Sequence, residues 1–380
     1  MPSGAVMVGA LVAGAFVSVI STLKILAANP WQFGLDLPSY VEGAKRLVIS
    51  GTPYAPELRA GPLENISSNI AIGYFYPPPL AQLFVPISGV PVPVLAWAWT
   101  LSQAALLLIL LPVVYKRHGG SWDRGHVAAV LVAVIAFTPN LIAVYIGNLS
   151  GWIAILVALM LIASAPGRAA SAATALWLKL TPGPFAVGAL VDRSTRSATA
   201  ITCLAILAGS FILAPSAWTD WITVLPAIVG LSEAPYTSNL APSHVLSSTG
   251  FPFLGEIARI ALPFVFGVLV LVFAWKGHIA AWVTAATGVY LTASGTAWDH
   301  YFAALSPLAV AAWPRATPPL RLMIVAVLVT LGPVSFLKDL VPYQLITLGL
   351  WVTFLAAAVI QFGEGFAVPQ LLHPIRNARA

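Results

Sequence analysis

Apolar runs of about 20 residues recur from one end of the chain to the other, each long enough to cross a bilayer core as a helix. A water-soluble domain carries about 25% charged residues to dress its surface. Here charged residues are 8% and hydrophobic ones 59%, with a mean hydropathy of +0.91, so lipid must be the main solvent. The expected fold class is an all-α polytopic membrane protein, a single transmembrane domain over residues 1–380 with about ten to twelve spans. The net charge of +6 does not point to nucleic acid, because the basic residues form no run or patch and read as loop charges that set topology. The lone Cys203 lies within an apolar stretch, which leaves no disulfide framework.

The expected spans are 5–27, 94–115, 127–145, 150–165, 197–214, 258–275, 279–294, 300–313, 320–337 and 343–362. The first has no charged leader region and is interrupted by Lys24, so it reads as a retained helix and not as a cleaved signal. Residues 169–191 are apolar but broken by Lys179 and by Thr181-Pro182-Gly183-Pro184, and they read as two half-helices turning back. Residues 76–90 open on Pro77-Pro78-Pro79 and are short, which suits a helix lying at the interface. With the N-terminus in the cytoplasm, this arrangement leaves Lys116, Arg117, Arg124, Arg168, Arg193, Arg196, Lys276, Arg315, Arg321, Arg376 and Arg379 inside. Only Lys45, Arg46, Arg59, Arg259 and Lys338 fall outside. Making 76–90 and 169–191 full single spans would reverse that majority, so the positive-inside rule prefers the first drawing.

Two long loops then share the outer face, 28–93 with Asp36, Glu42, Glu57 and Glu64, and 215–257 with Asp220, Glu233, His244 and Glu256. Loops of this size are a usual home of function. In the first, Asp36 precedes a segment in which Pro38 suits a helix's first turn and Gly51 its end. Tyr40, Ala44 and Leu47 share one face of that helix, while Glu42, Lys45 and Arg46 are polar, so it is amphipathic and interfacial. From position alone, Asp36 is either a helix cap, its carboxylate on free amides, or a functional carboxylate.

Several short motifs in a fixed order carry a resemblance. Asp36…Tyr40…Gly51-Thr-Pro-Tyr54 and Tyr74-Phe-Tyr-Pro-Pro78 are followed by Gly147-Asn148, by Lys179-Leu-Thr-Pro182, by Ser238-Asn-Leu-Ala-Pro-Ser-His244 and by Ala297-Trp-Asp-His300-Tyr. Together they resemble glycosyltransferase family 87, the polyprenyl-phosphate-mannose-dependent mannosyltransferases of the GT-C class. The chain departs from the family at Gly147-Asn148, where a Gln-x-Asn is usual, and at Asn239-Leu240-Ala241, where Asn-Gln-Ser is usual. The class implies a long acidic first external loop and a second one after the seventh helix. Counting 169–191 as two segments gives the same placement.

The resemblance implies a membrane hexosyltransferase of the plasma membrane. It would move a sugar, mannose in the family, from a polyprenyl-phosphate donor to a hydroxyl of a lipid or glycan acceptor on the extracytoplasmic face. Such a reaction needs a carboxylate to take the hydroxyl proton, fixed positive charge for the departing phosphate, and an apolar groove for the lipid. Asp36 is the expected general base, and a phosphate leaving group needs no second acid, so direct displacement with inversion follows. Lys179, His300, His244 and Arg259 are the candidates for the donor phosphate. An ammonium in the middle of an apolar run is a functional candidate by default, the bland alternative being a lysine that snorkels to the interface. Asp299 is expected to orient His300 or to cap the next helix, and Asn148 to bond a sugar hydroxyl or satisfy a helix end. Tyr40, Tyr54, Tyr76 and Trp298 are candidates for stacking on sugar or lipid head, or are simply interfacial aromatics. No nucleotide or metal signature calls for a cofactor. A secondary transporter or flippase is the rival reading, but the broken segment 169–191 has no counterpart in the second half.

Overall fold

The computed structural model describes residues 4–60, 73–121, 124–231, 239–332, 337 and 340–364; Glu64, Glu233, Ser238, Lys338, Arg376 and Arg379 lie outside the described residues. In chain order the helices are α1 Gly4–Ala28, α2 Leu37–Ser50, α3 Pro56–Ala60, α4 Pro78–Phe84, α5 Val92–Arg117, α6 Arg124–Ile135, α7 Thr138–Tyr145, α8 Leu149–Ile162 and α9 Ala165–Leu178. They continue as α10 Gly183–Val191, α11 Arg196–Leu213, α12 Pro215–Leu231, α13 Pro242–Ser247, α14 Pro252–Trp275, α15 Ile279–Thr292, α16 Leu305–Ala312, α17 Pro318–Thr330 and α18 Val341–Gly363. Proline in the first turn opens α2, α4, α5, α7, α9, α10, α13, α14, α17 and α18. The ring's fixed φ suits that position, and its missing N–H is one the helix start leaves unpaired anyway. Much of the segmentation is therefore written in the prolines.

The protein is an all-α polytopic membrane protein, and among the described residues the only β pairing is an isolated bridge between Asn239 and Trp298. Among the described residues five helices are long and apolar enough to cross a membrane, α1, α5, α11, α14 and α18, and α6 with α7 forms a sixth if the bent pair is one span. The bend of 46° falls where 127–145 was expected to run straight. Pro139 denies the ladder a donor there, and buried side chains repair the gap. Asn140 Nδ2 donates to Val134 O at 2.7 Å, and Thr138 Oγ1 donates to Gly332 O at 2.9 Å. α8 is apolar all round and buried on nearly every side, as a helix at the centre of a bundle should be. It packs on α5, α9 and the turn that carries His300.

The expected half-helices of 169–191 are α9 and α10, which break at Lys179–Pro182 and pack against each other. Residues 76–90, expected as an interfacial helix, form the short α4 with a 3-10 turn at Val85–Ile87. The 215–257 segment is more helical than a loop, since it opens with α12 and holds α13 and the start of α14. α2, α3 and α4 share a second core with α12, built from Tyr40, Tyr54, Tyr74, Leu80, Phe84, Trp218 and Trp221. Ser216 Oγ donates to Gly51 O at 2.9 Å, and Arg59 reaches Asp220 at 3.5 Å, so the two long segments meet as one layer at one end of the bundle.

Candidate functional site

α2 begins as the sequence suggests, with Pro38 in its first turn and Gly51 left-handed at φ 76° at its end. Asp36 occupies the N-cap position, yet its side chain bonds no amide of α2. Its backbone N–H donates instead to Ile146 O at 3.0 Å, and Gly34 N–H donates to Tyr145 O at 2.9 Å. These two bonds dock the start of the first loop onto the end of α7. Gly147 makes the approach possible. Its φ of +73° is left-handed, and an added Cβ would lie 3.0 Å from Leu37 Cγ. Gly147→Ala is expected to destabilise the fold by about 1–3 kcal/mol, read as a lower unfolding midpoint in detergent with a matching loss of activity. A wild-type midpoint would mean that this junction carries no strain.

The Asp36 carboxylate turns to Asn148, whose Nδ2 donates to Asp36 Oδ2 at 2.5 Å. Asn148 is the N-cap of α8, and its Oδ1 accepts from Ser150 N at 2.8 Å and from Ser150 Oγ at 2.7 Å. Burial is the main influence on Asp36 and raises its pKa above the ordinary 3.8, while His300, the Asn148 bond and Lys179 pull it back down. Asp36, Asn148, Lys179 and His300, from four separate stretches of sequence, therefore sit together.

Lys179 ends α9 with extended backbone at the break before α10, and it is buried, at 8% exposure. Its Nζ lies 3.5 Å from the centre of the Tyr301 ring and has no hydrogen-bond partner. Tyr301 stacks on Tyr290 at 5.7 Å, and His300 meets the Tyr301 ring edge-on at 5.0 Å. An ammonium held over an aromatic face gains about 2 kcal/mol or more when desolvated, which offsets part of its burial cost. It does not supply the anion that such a group seeks.

His300 is buried at the start of the 3-10 turn Asp299–Ala304. Asp299 Oδ1 accepts from His300 N at 2.8 Å and lies 3.4 Å from Nδ1, so this one carboxylate both caps the turn and faces the ring. The preceding strand-like residues are clasped by Asn239, which is buried to 1% exposure. Its Oδ1 accepts from Ala241 N and Ala297 N, and its Nδ2 donates to Gly295 O at 2.8 Å. Trp298 forms the other half of that bridge and is half-buried beside the site.

Other expected positions lie elsewhere. Tyr40 and Tyr54 are fully buried in the core shared with α12, Tyr54 OH donating to Tyr76 O at 2.8 Å, so neither offers a ring face to a sugar. Tyr76 is half-exposed, contacts Tyr40 edge-on at 5.2 Å, and feels the Asp36 charge, which places it at the site's rim. Arg259 pairs with Glu256 at 2.7 Å on the exposed side of α14. His244 sits half-buried on α13, where burial lowers its pKa, and it is not among the charges acting on Asp36. Tyr301 and Ser150 are the members whose contacts the sequence does not announce. The only hint is adjacency, Tyr301 beside His300 and Ser150 two residues after Asn148.

A groove of about 360 Å³ lies between α10, α14 and α15, lined by Pro184, Val187, Phe264, Gly267, Leu271 and Val289 among others. All its lining is apolar, and it begins at Pro184, five residues past Lys179, and at Val289, next to Tyr290.

The chain is 32% identical over 111 residues to the polyprenol-phosphate-mannose-dependent alpha-(1-2)-phosphatidylinositol pentamannoside mannosyltransferase of Mycobacterium tuberculosis (strain CDC 1551 / Oshkosh). That similarity covers 29% of this chain and 24% of the relative, so it spans about a quarter of the relative's length. No solved structure matches the chain. Residues 74–337 match the profile of glycosyltransferase family 87, a segment that takes in Asn148, Lys179 and His300 and starts after Asp36; the chain belongs to that family of glycosyltransferases.

Proposed function

We propose that this glycosyltransferase moves a sugar, mannose, from a polyprenyl-phosphate donor to a hydroxyl of a lipid or glycan acceptor, with inversion, on the extracytoplasmic face of the plasma membrane. The observation that carries the reading is a held carboxylate, Asp36, under the influence of two cationic candidates, Lys179 and His300. Asp36 takes the proton of the acceptor hydroxyl. The acceptor oxygen bonds to the anomeric carbon as the bond from that carbon to the phosphate oxygen breaks. The lipid phosphate leaves with the electron pair, and Lys179 and His300 meet its charge. Attack and departure on opposite sides of the carbon invert it, and one carboxylate suffices. The donor named for the mycobacterial relative supports a lipid phosphate.

The purified protein incubated with polyprenyl-phosphate mannose and a membrane acceptor extract is expected to form a glycosylated product of inverted anomeric configuration. No transfer from any polyprenyl-phosphate sugar would overturn the reading.

The apolar groove between α10, α14 and α15 suits the isoprenoid tail. From Phe264 to Leu271 it follows α14 for about 10 Å at 1.5 Å per residue. A side chain added at Gly267 meets nothing within 4 Å, so Gly267→Leu is expected to fold normally while filling the groove. The donor KM should rise about tenfold with kcat little changed, as expected for loss of uniform binding. An unchanged KM would remove the groove from the donor's path.

A further inference from the structure

We propose that Asn148 is a positioning residue for Asp36: locked by the start of α8, its amide holds the carboxylate by Oδ2 and leaves Oδ1 as the oxygen that receives the acceptor's proton. This rests on the reading of Asp36 as the general base.

The orientation of the amide is not free. Its oxygen faces the backbone N–H of Ser150, a group that can only donate, so Nδ2 must be the atom turned toward Asp36. Both ends of the bond are anchored by backbone. On one side, Asp36 N–H donates to Ile146 O, and Asp36 O accepts from Ser39 Oγ at 2.8 Å. On the other, Asn148 N–H donates to Ala143 O at 3.0 Å, and Asn148 O accepts from Gln103 Nε2 of α5 at 3.2 Å. Gln103 fills the space beside Gly151 where any Cβ would overlap it, so the α8 start cannot slide away. Rotation of the carboxylate would break the bond to Asn148.

The side chains acting on Asp36 are Lys179 at the end of α9, His300 in the Asp299–Ala304 turn and Asn148, while Tyr40 of α2, Tyr76 and Tyr301 are neutral rings that feel its charge. His300, Lys179 and the Asn148 bond favour the charged carboxylate. In the transfer step the acceptor O–H bond breaks toward Oδ1, its oxygen bonds the anomeric carbon, and the phosphate departs with the electron pair.

The test compares wild type with Asn148→Asp and Asn148→Ala in the full-length protein, using polyprenyl-phosphate mannose and the acceptor extract. Aspartate caps a helix as well as asparagine does, so Asn148→Asp should unfold near the wild-type temperature. It sets a second carboxylate against Asp36, however, and two such groups cannot both ionise. The acidic limb of kcat should move up by about one pH unit or more, and kcat near neutrality should fall at least about tenfold with donor KM little changed. Asn148→Ala should lose stability and also shift the acidic limb upward, since a bond that favours the charged carboxylate is gone. A merely capping residue would leave Asn148→Ala less stable but with the wild-type pH profile and kcat, and that outcome overturns the inference alone. A wild-type protein inactive with every such donor overturns the functional reading and the inference with it.

Discussion

Asp36→Asn is expected to lower the rate of sugar transfer by about 10²–10⁴-fold, the usual contribution of a positioned general base. The measurement is the initial rate at saturating donor and acceptor, beside the unfolding midpoint in detergent. Asparagine keeps the shape and can still accept the bond from Asn148 Nδ2 through its own amide oxygen. The backbone bonds of Asp36 to α7 do not involve its side chain. The loss should therefore appear in kcat and not in folding. Stability should even favour the variant. Burial raises the Asp36 pKa above 3.8, so the native chain holds that proton more tightly than the unfolded chain does. Stability from this group then falls as pH rises from the ordinary carboxylate range through the raised value. Asparagine has no such dependence, so the variant should match or exceed wild type near neutrality, and its advantage should vanish in acid. The wild-type rate has the opposite trend, falling as pH drops and the base is protonated. A variant that keeps more than about a tenth of the wild-type rate would show that Asp36 is not the base.

What could be read from the sequence depended on whether the signal was local. Composition and apolar runs identify the solvent, because every residue of a span meets the same requirement. Prolines and Gly51 punctuate α2 and the break between α9 and α10 correctly, since backbone restrictions act where the residue stands. The bend between α6 and α7 was missed although Pro139 is in view. A proline says that a bond is lost, but not which side chain replaces it, and here Asn140 Nδ2 donates to Val134 O across the break. The same limit explains the site. Lys179 is a candidate because of its apolar surroundings, and Asp36 and His300 are candidates through the family resemblance. The direction of the Asp36 carboxylate was not, because it is settled by Asn148, 112 positions away. The burial of Tyr40 and Tyr54 is hidden from the sequence for a related reason. An aromatic at an interface and an aromatic in a loop's own core look alike until α12 is seen to close over them. Segment 215–257 looked like a loop because its prolines and polar residues interrupt it, yet Pro215–Leu231 finds a helical partner surface in the first loop.

Lys179→Met is expected to separate stability from function in the same way, and from the opposite charge. The wild-type Lys179 side chain is buried, lacks a hydrogen-bond partner among the described residues, and has the Tyr301 face and the charge of Asp36 as its neutralising neighbours. Placing a cation at membrane depth costs about 2.5–3.5 kcal/mol on insertion scales, of which an aromatic face returns about 2. Methionine has a similar reach, no charge, and favourable contact with an aromatic ring. The unfolding midpoint of Lys179→Met in detergent should thus equal or exceed that of wild type. The transfer rate should fall by about 10²–10³-fold, as when a preorganised donor to developing negative charge is removed. Lys179→Arg keeps the charge but brings a planar fork into a space shaped for a compact ammonium, and should recover only part of the rate. A structural lysine would reverse the pattern. If its task were to balance Asp36, Lys179→Met would leave that carboxylate buried with less compensation and lower the midpoint, and adding Asp36→Asn would restore it. Wild-type kcat/KM for the lipid donor in Lys179→Met would show that the phosphate is held elsewhere. The expected combination, a stabler protein that transfers sugar poorly, would mean that the hydrogen-bond acceptor Lys179 Nζ lacks in the free protein is the phosphate the donor brings.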